Sequence, residues 1–229
     1  HGWAPGSKIL DGGMAVVGDQ LTADVRPHFA WSETSATDGA ILIGAPYLYL
    51  PPVPDPGPGE NALLAVPGHG IVRNPIGGLS GYIAKVSQLA KLIRYDSVTV
   101  LLYHQDATKQ NRHLLKELGI RVECCGTPFD VSYLRRLRNL IRQHAAVTSD
   151  RLCTAAFYGL YERRPFSLVG TGEVRSTPPD TYEDLVTDTD WIVSNYPKLD
   201  QELAKRELGL RHMLTPSKLR EKLYAWIYA

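Results

Sequence analysis

The sequence has few cysteines, almost no net charge and no long apolar run, and each shortage excludes a class of protein. Cys124 and Cys125 are adjacent and Cys153 lies apart, which gives neither a disulfide framework nor a C-x-x-C metal pair. A net charge of +1 provides no global field for binding nucleic acid or an anionic membrane. Apolar stretches such as Val98 to Tyr103 are strand-sized, far short of the ~20 residues that span a bilayer. The sequence therefore predicts neither a transmembrane segment nor a nucleic-acid partner.

What is present is typical of a globular protein that buries a substantial core. The chain has 229 residues, of which 44% are hydrophobic and 21% are charged. This length predicts one large domain or one and a half. The cysteine usage predicts a cytoplasmic location. The chain begins at His1 without a leader pattern, so we expect residues upstream of His1 to be missing.

A stretch rich in proline and glycine divides the chain. Leu50 to Glu60 reads LPPVPDPGPGE, and neither a helix nor a central strand passes through such a sequence. It is therefore the best domain boundary, with residues 1–60 as the remainder of a second lobe. Strand candidates before the boundary lie at Met14 to Val17, Phe29 to Trp31 and Ala40 to Ile43.

Strand-like and helix-like segments alternate after this boundary, in residues 61–175. Strands are predicted at Ala62 to Pro67, Ser97 to Tyr103, Ile120 to Cys125, Ala145 to Thr148 and Phe166 to Val169. Helices are predicted at Gly81 to Arg94, Thr108 to Leu118, Val131 to His144 and Arg151 to Arg163. This alternation predicts an α/β fold with a doubly wound, Rossmann-like parallel sheet. Residues 176–229 are expected to form a helical tail.

Ligands of such sheets bind at the carboxyl ends of the strands, and the residues there suit an anion. Glycines allow close backbone approach, helix starts offer free N–H groups, and His and Arg add donors. The strand ends are Pro67-Gly68-His69-Gly70, Tyr103-His104-Gln105-Asp106, Gly126-Thr127-Pro128-Phe129, Thr148-Ser149-Asp150-Arg151 and Gly170-Thr171-Gly172. Together they predict a phosphate-bearing ligand.

Each of these residues also has a purely structural interpretation. Ser149 and Thr154 flank a predicted helix start, where a hydroxyl usually caps the helix. His104 could hydrogen-bond a neighbouring loop, and His69 could belong to an ordinary turn. The basic run Arg135, Arg136, Arg138 and Arg142 accompanies the apolar stripe of one helix, so we expect it to face solvent.

Several familiar motifs are absent from the sequence. Gly78-Leu79-Ser80-Gly81 is followed by Tyr82, so it does not match a nucleophile elbow. Gly170-x-Gly172 lacks the third glycine of a dinucleotide fingerprint and follows the last strand. No P-loop lysine signature, zinc ligand set or RNA-binding aromatic motif occurs.

With these elements in place, the chain resembles the nucleotide-binding half of GT-B glycosyltransferases, specifically bacterial enzymes of surface-polysaccharide assembly. The resemblance covers most of the chain and rests on short motifs. They are His1-Gly2-Trp3-Ala4-Pro5-Gly6, Ile43 to Leu50, Val66 to Gly70, Thr148 to Tyr158 and Arg164 to Gly170.

The resemblance implies a nucleotide-sugar donor lying across the carboxyl edge of the sheet. The nucleobase would rest against the Gly126 to Phe129 turn, and the phosphates at the helix that begins near Ser149 to Thr154. A helix N-terminus and an imidazole can stabilise a leaving nucleotide without a metal or other cofactor. The implied donor-binding residues are His69, His104, Gly126, Thr127, Pro128, Ser149, Arg151 and Thr154. Sialyltransferases and Kdo transferases of this architecture have a His-Pro motif where this chain has His104-Gln105. This departure puts a CMP-linked donor in doubt.

The resemblance also implies a general base from the other lobe, since the acceptor hydroxyl approaches from that side. His1 and Asp11 are the candidates, with Asp19 as a further acid. The final helix, with Leu219, Leu223 and Trp226 on one face, is expected to pack back on the first lobe. A missing N-terminal lobe or partner chain would then complete the enzyme, and whether this chain alone is active stays open.

The expected function is metal-independent transfer of a sugar from a nucleotide-sugar to a glycan acceptor, with a peripheral position at the inner membrane as an alternative location. One alternative function is a non-catalytic nucleotide-binding or assembly module. Another is a nucleotide-sugar epimerase, which needs several carboxylates in one cleft. The strand ends supply Asp106, Asp130 and Asp150 alone. Transferase is therefore preferred to epimerase.

Overall fold

The structure, a computed structural model, describes residues 29–36, 39–68, 78–169 and 189–228. Two short parallel strands, β1 (Phe29–Ala30) and β2 (Ile41–Leu42), form a small sheet. The large sheet contains β3 (Ala62–Ala65), β4 (Ser97–Leu101), β5 (Arg121–Glu123), β6 (Ala146–Ser149) and β7 (Phe166–Leu168).

Helices connect these strands and continue after them. The connecting helices are α1 (Gly78–Ile93), α2 (Lys109–Glu117), α3 (Tyr133–Gln143) and α4 (Thr154–Tyr161). The described part of the tail contains α5 (Thr189–Asn195), α6 (Gln201–Glu207) and α7 (Pro216–Tyr228). None of the described helices combines the length and the apolar character needed to cross a bilayer.

The large sheet has the order β5-β4-β3-β6-β7, and all neighbouring strands are parallel. Its first strand lies in the centre, the next two extend to one side and the last two to the other. This is the Rossmann-like arrangement that the alternation of strands and helices predicts, and the prediction is confirmed. The strand order reverses between β3 and β6, so their carboxyl ends flank the crevice where such sheets bind ligands.

The central strand β3 separates two hydrophobic cores. Leu63 and Ala65 pack into a core with α1, whereas Leu64 points into the core beneath α3, α4 and α6. This alternation follows from the period of two in a strand, and both faces are apolar because helices cover both. A fully buried leucine contributes roughly 1.5–3 kcal/mol, so the short strand is firmly anchored.

The helix that follows β6 begins later than the sequence predicts. It was expected from Arg151, but α4 begins at Thr154, since Cys153 has extended backbone angles (φ −143°, ψ 172°) and occupies the N-cap position. Residues 150–153 therefore form a loop at the carboxyl edge of the sheet. This difference places Arg151 above the strands instead of in a helix.

Described residues of the N-terminal segment pack against the tail. The amide of Ala45 donates to the carbonyl of Leu208 at 2.8 Å, and the amide of Leu214 donates to the Tyr49 hydroxyl at 2.8 Å. Gly209 (φ +70°) is required at this junction, since a Cβ there would lie 1.7 Å from the carbonyl oxygen of Trp31. The proposed limits 1–60, 61–175 and 176–229 stay a prediction, and the Met14 to Val17 strand lies outside the described residues.

The final helix is less covered than its sequence suggests. In α7, Leu219 is half-buried and Leu223 is 38% exposed. The described residues therefore leave much of the predicted inner face open to solvent.

The proline-rich segment is held to the sheet domain by arginines. Arg138 donates from Nη1 to the carbonyl of Pro51 at 2.9 Å, and Arg142 donates from Nη1 to that of Val53 at 2.8 Å. Arg164 donates from Nη2 to the carboxylate of Asp55 at 2.8 Å. The carbonyls of a passing extended chain thus replace water as partners of these guanidinium groups.

The expectation of a solvated arginine face holds for Arg135 and Arg136, which are exposed, and is wrong for Arg138 and Arg142. Arg138 is 4% exposed, and the proline-rich segment whose Pro51 carbonyl it binds lies against it. Arg142 is largely buried in an ion pair with Glu162, with 2.6 Å between Nε and Oε2. Arg135 is exposed, as expected.

Glu162 links this segment to the N-terminal residues. Its Oε1 accepts a hydrogen bond from the Tyr47 hydroxyl at 3.0 Å while its Oε2 binds Arg142. Both Glu162 and Tyr47 are buried. We call Tyr47, Asp55, Arg142, Glu162 and Arg164 the amino-edge network, since α3 and α4 end there and the next strands begin.

Candidate functional site

A cleft opens at the carboxyl ends of β3, β4 and β5. Val66 and Pro67 form one wall, Leu102 and Tyr103 the floor, and Cys125, Gly126 and Tyr133 the opposite wall. The cleft has a volume of about 40 Å³ and is open to solvent. A mainly apolar surface with polar groups at its ends is typical of ligand sites.

An ion pair lies at the switch point of the sheet, where the ends of β3 and β6 meet. The carboxylate of Asp150, which is 1% exposed, accepts from the Gly68 amide at 2.7 Å through Oδ1. Its Oδ2 accepts from Nε and Nη2 of Arg151 at 3.2 and 3.1 Å. We call Gly68, Asp150 and Arg151 the switch-point cluster. It ties together two strand ends that are neighbours in space and 82 residues apart in the chain.

Gly68 is required for this arrangement. A Cβ on Gly68 would lie 1.9 Å from Nε and 2.2 Å from Cζ of Arg151. The guanidinium group therefore rests directly on the backbone of residue 68. The absence of a side chain brings a charged fork against the main chain at the point where the sheet offers a ligand crevice.

Ser149 supports the cluster from within the protein. It is fully buried, and its hydroxyl donates to the Val66 carbonyl at 2.7 Å. This bond joins the ends of β3 and β6 a second time. Ser149 therefore holds the strand ends in register, and its direct contact with a donor stays a prediction.

The N-terminus of α4 lies next in the chain to the cluster. Cys153 is the N-cap and Thr154 is the first helical residue, half-buried. Backbone N–H groups at a helix start carry partial positive charge and favour an anion. The charge of Arg151 is balanced by Asp150, so the helix start supplies the remaining partial positive charge at the β6 end of the crevice.

Burial keeps two thiols and two phenols near the site un-ionised at neutral pH. Burial raises the pKa of the Cys125 thiol to about 11 and that of the Tyr133 hydroxyl to about 12. Burial also raises the pKa of Cys153. The pKa of Tyr82, which lies beneath the cluster, is raised by burial and by the nearby charge of Asp150. Neither thiol is therefore activated as a nucleophile.

The loop between β5 and α3, residues 124–132, rims the cleft on the other side. Gly126 has a φ of +80°, and Arg136 donates from Nε and Nη2 to the Cys125 carbonyl at 2.9 and 2.7 Å. Phe129 is 93% exposed at the tip of this loop, and Val131 is also exposed. An apolar ring so fully in water beside a cleft is a surface that a ligand could cover.

His104 lies beside Tyr103, a residue of the cleft floor. The two rings meet edge to face with centroids 4.2 Å apart. Nδ1 of His104 is buried, and no described residue hydrogen-bonds to it. His104 therefore lies at the carboxyl edge of the sheet, just after β4.

The structure brings most of the predicted donor-binding residues to one edge of the sheet. Gly126 lines the cleft, and Thr127 and Pro128 are exposed on its rim. His104 follows β4, while Ser149, Arg151 and Thr154 surround the end of β6. The predicted residues His1, Asp11 and His69 lie outside the described residues.

Two residues of the site were missed as ligand-site residues by sequence reasoning. Asp150 was considered only as one of few acids, although a carboxylate directly before Arg151 at a strand end is a signal for an ion pair. Arg136 was assigned to solvent because helical periodicity does not show a bond to a preceding loop. Among the described residues, no group of three or more His, Cys, Asp or Glu could hold a metal ion.

No protein-family profile matches the chain, and no curated protein matches it significantly. Similar solved structures include S. aureus MnaA with UDP, at 13% identity and a TM-score of 0.47, covering 84% of this chain and 58% of that one. The UDP-GlcNAc 2-epimerase from Neisseria meningitidis bound to UDP-GlcNAc has 12% identity and a TM-score of 0.33, with coverages of 72% and 44%. The glycosyltransferase SnogD from Streptomyces nogalater has 18% identity and a TM-score of 0.40, with coverages of 84% and 52%. The chain thus spans about half the length of these proteins.

Proposed function

We propose that the chain binds a nucleotide-sugar donor at the carboxyl edge of its sheet and acts as a glycosyltransferase of the GT-B type. The observation that carries this proposal is the switch-point cluster: Arg151 lies on the bare backbone of Gly68, which directly follows the cleft residue Pro67, and Arg151 precedes the start of α4 by three residues. Such a place suits phosphate oxygens, which a guanidinium fork and helix N–H groups recognise together.

The rest of a nucleotide would lie over the open side of the cleft, which is itself small. The phosphates would lie at Arg151 and Thr154, and the nucleobase would rest on the loop that contains Gly126 and Phe129. Between them, the apolar walls near Val66 and Tyr103 would contact the ribose. A ligand so placed would cover the exposed Phe129 ring, whose burial is favourable.

This placement also supports the chemistry of sugar transfer. Breaking the bond between the anomeric carbon and the phosphate leaves negative charge on the nucleotide, which Arg151 and the start of α4 would stabilise. The acceptor hydroxyl would lose its proton to a general base. His1 and Asp11 are the proposed bases. The un-ionised thiols of Cys125 and Cys153 support direct displacement over a covalent cysteine intermediate.

The epimerase alternative receives less support from the described carboxylates. Epimerisation requires carboxylates free to exchange protons at a sugar carbon. Asp150 accepts hydrogen bonds from Gly68 and Arg151, and Asp130 forms an ion pair with Arg136. Both acids are thus engaged by donors within the protein.

A binding and turnover experiment tests the proposal and its alternatives together. The wild-type chain would be titrated by calorimetry with CMP, CDP, UDP, GDP, dTDP and ADP, with NAD as a control. The sugar ester of the best ligand would then be followed by proton NMR. A transferase releases the nucleotide when an acceptor is present, and an epimerase yields a stereoisomer without releasing it. A non-catalytic module binds the nucleotide and changes nothing.

The proposed bases are tested in the same assay. His1→Gln and Asp11→Asn are expected to leave the affinity for the nucleotide unchanged, and the variant that removes the base should lower turnover by about 100-fold or more. Full turnover in both variants would remove His1 and Asp11 from the mechanism.

A further inference from the structure

We propose that Arg136 is a positioning residue of the cleft: its guanidinium fixes the β5–α3 loop and thereby sets the wall that a nucleotide contacts. This inference rests on the proposed function and adds a residue to it. Arg136 is not one of the residues that line the cleft. It acts through the backbone of Cys125 and Gly126, both of which line the cleft.

The geometry of Arg136 joins the beginning of the loop to its end. Nε and Nη2 both donate to the Cys125 carbonyl, and Nη2 also donates to Oδ2 of Asp130 at 2.7 Å. Asp130 in turn accepts from the Ser132 amide at 2.7 Å through Oδ1. Lysine, with a single ammonium nitrogen, lacks the planar fork that makes the two bonds to Cys125.

Helix stability does not account for an arginine at this position. Residue 136 lies near the N-terminus of α3, where the helix dipole disfavours a cation, and the first turn of α3 contains no acidic residue. The contacts that favour Arg136 therefore lie outside the helix, in the loop. The ion pair with Arg136, together with the hydrogen bond from Ser132, also lowers the pKa of Asp130.

Gly126 fits this guanidinium closely. Its φ of +80° is a conformation that favours glycine, and a Cβ there would lie 3.1 Å from Nη2 of Arg136. Gly119 provides a matched comparison, because its φ is +70° but no atom lies within 4 Å of a Cβ placed on it. An alanine at either position strains the backbone. Only an alanine at residue 126 also presses on Arg136.

The test compares two pairs of variants for nucleotide affinity and for amide hydrogen exchange. Arg136→Gln is expected to weaken the best nucleotide by about tenfold and to speed exchange at residues 126–132. Arg135→Gln removes the same charge from the neighbouring exposed position and should change affinity by less than about twofold. Arg136→Lys should recover part of the affinity.

The glycine pair separates crowding from strain. Gly126→Ala is expected to reproduce the Arg136→Gln phenotype, whereas Gly119→Ala should lower Tm without weakening the nucleotide. The double variant Gly126→Ala with Arg136→Gln should be no weaker than either single variant, since both act through one contact.

Two results would overturn the inference, and they differ from each other. If the wild type binds a nucleotide and Arg136→Gln binds it as well as Arg135→Gln does, Arg136 does not position the cleft. If the wild type binds no nucleotide, the proposed function fails and the role of Arg136 in binding fails with it.

Discussion

The two edges of the central sheet use the same chemistry for different purposes. At the amino edge, Arg142 and Glu162 form a buried ion pair whose remaining groups bind Tyr47 and the carbonyl of Val53. At the carboxyl edge, Arg151 and Asp150 form an ion pair that lies on bare backbone beside an open cleft. A buried arginine and carboxylate are thus not in themselves a sign of function. The open surface beside the pair makes the difference.

This comparison predicts that stability and binding separate between the edges. Variants of the amino-edge network should lower the free energy of unfolding and leave nucleotide affinity intact. Variants of the switch-point cluster should weaken nucleotide binding and leave the free energy of unfolding nearly unchanged.

Glu162→Ala should destabilise the protein by about 3–5 kcal/mol. The substitution leaves the largely buried guanidinium of Arg142 without its carboxylate and the buried Tyr47 hydroxyl without its acceptor. Urea unfolding measures the loss. Glu117→Ala, which breaks an exposed pair with His113, is the control and should change stability by less than about 0.5 kcal/mol. Equal losses in both variants would show that the amino-edge network does not stabilise the fold.

Arg151→Lys should weaken nucleotide binding by about tenfold, or about 1.4 kcal/mol. Lysine keeps the positive charge beside Asp150 but lacks the planar fork that fits phosphate. Calorimetry gives the affinity, and urea unfolding should show a change in stability below about 1 kcal/mol. Unchanged affinity would remove Arg151 from the site and erase the functional difference between the two edges.

Thr154→Val should weaken the same nucleotide by about 1 kcal/mol, because a phosphate oxygen would lose the hydroxyl that binds it. The matched control is Thr215→Val, since Thr215 accepts a hydrogen bond from the Lys218 amide at the start of α7, away from the cleft. This control should leave affinity unchanged. Equal affinity in wild type and Thr154→Val would place the phosphates elsewhere.

Stability at the amino edge should depend on pH through His144. Its Nδ1 lies 2.7 Å from the Leu140 carbonyl, and as a carbonyl only accepts, Nδ1 carries the proton. Burial lowers the pKa of His144 below its ordinary value, and Arg121 adds to this, while Glu60 and Glu123 oppose it. Its neutral form therefore stabilises the fold fully above pH 6.5, and the contribution is lost as pH falls through the lowered pKa.

Unfolding measured from pH 7.5 to 5 tests this effect. The free energy of unfolding of the wild type should fall more steeply below pH 6.5 than that of His144→Phe. His113→Gln, at an exposed position, should follow the wild type. Parallel curves for wild type and His144→Phe would show that His144 does not titrate differently on folding.

Hydrophobic periodicity, together with glycines and prolines that end helices and strands, predicted the strands and helices of the central domain. Gly119 ends α2 and the run Ala62 to Ala65 forms β3, because both features are local in the sequence. The predicted start of α4 is wrong by three residues, because residues 150–153 form a loop in which Asp150 binds the distant Gly68 amide. Local sequence carries no signal for such bonds.

The sequence predicts where the candidate site lies but not which of its residues bind one another. Strand ends located Gly126, Arg151 and Thr154, because the carboxyl ends of parallel strands share one edge. The hydrogen bond between Asp150 and the Gly68 amide spans 82 residues and depends on the strand order. The burial of Arg138 similarly depends on Pro51, which helical periodicity within α3 cannot reveal.

A thermal-shift panel of CMP, CDP, UDP, GDP, dTDP and ADP, with NAD as control, tests nucleotide binding most directly. A ligand that binds only the folded protein raises Tm, and the rise grows with the logarithm of the ratio of ligand concentration to Kd. We expect at least one of the six nucleotides, but not NAD, to raise the Tm of the wild type, and the rise to shrink in Arg151→Lys. No rise with any nucleotide, from a protein that unfolds cooperatively, would contradict a nucleotide-sugar site at the carboxyl edge.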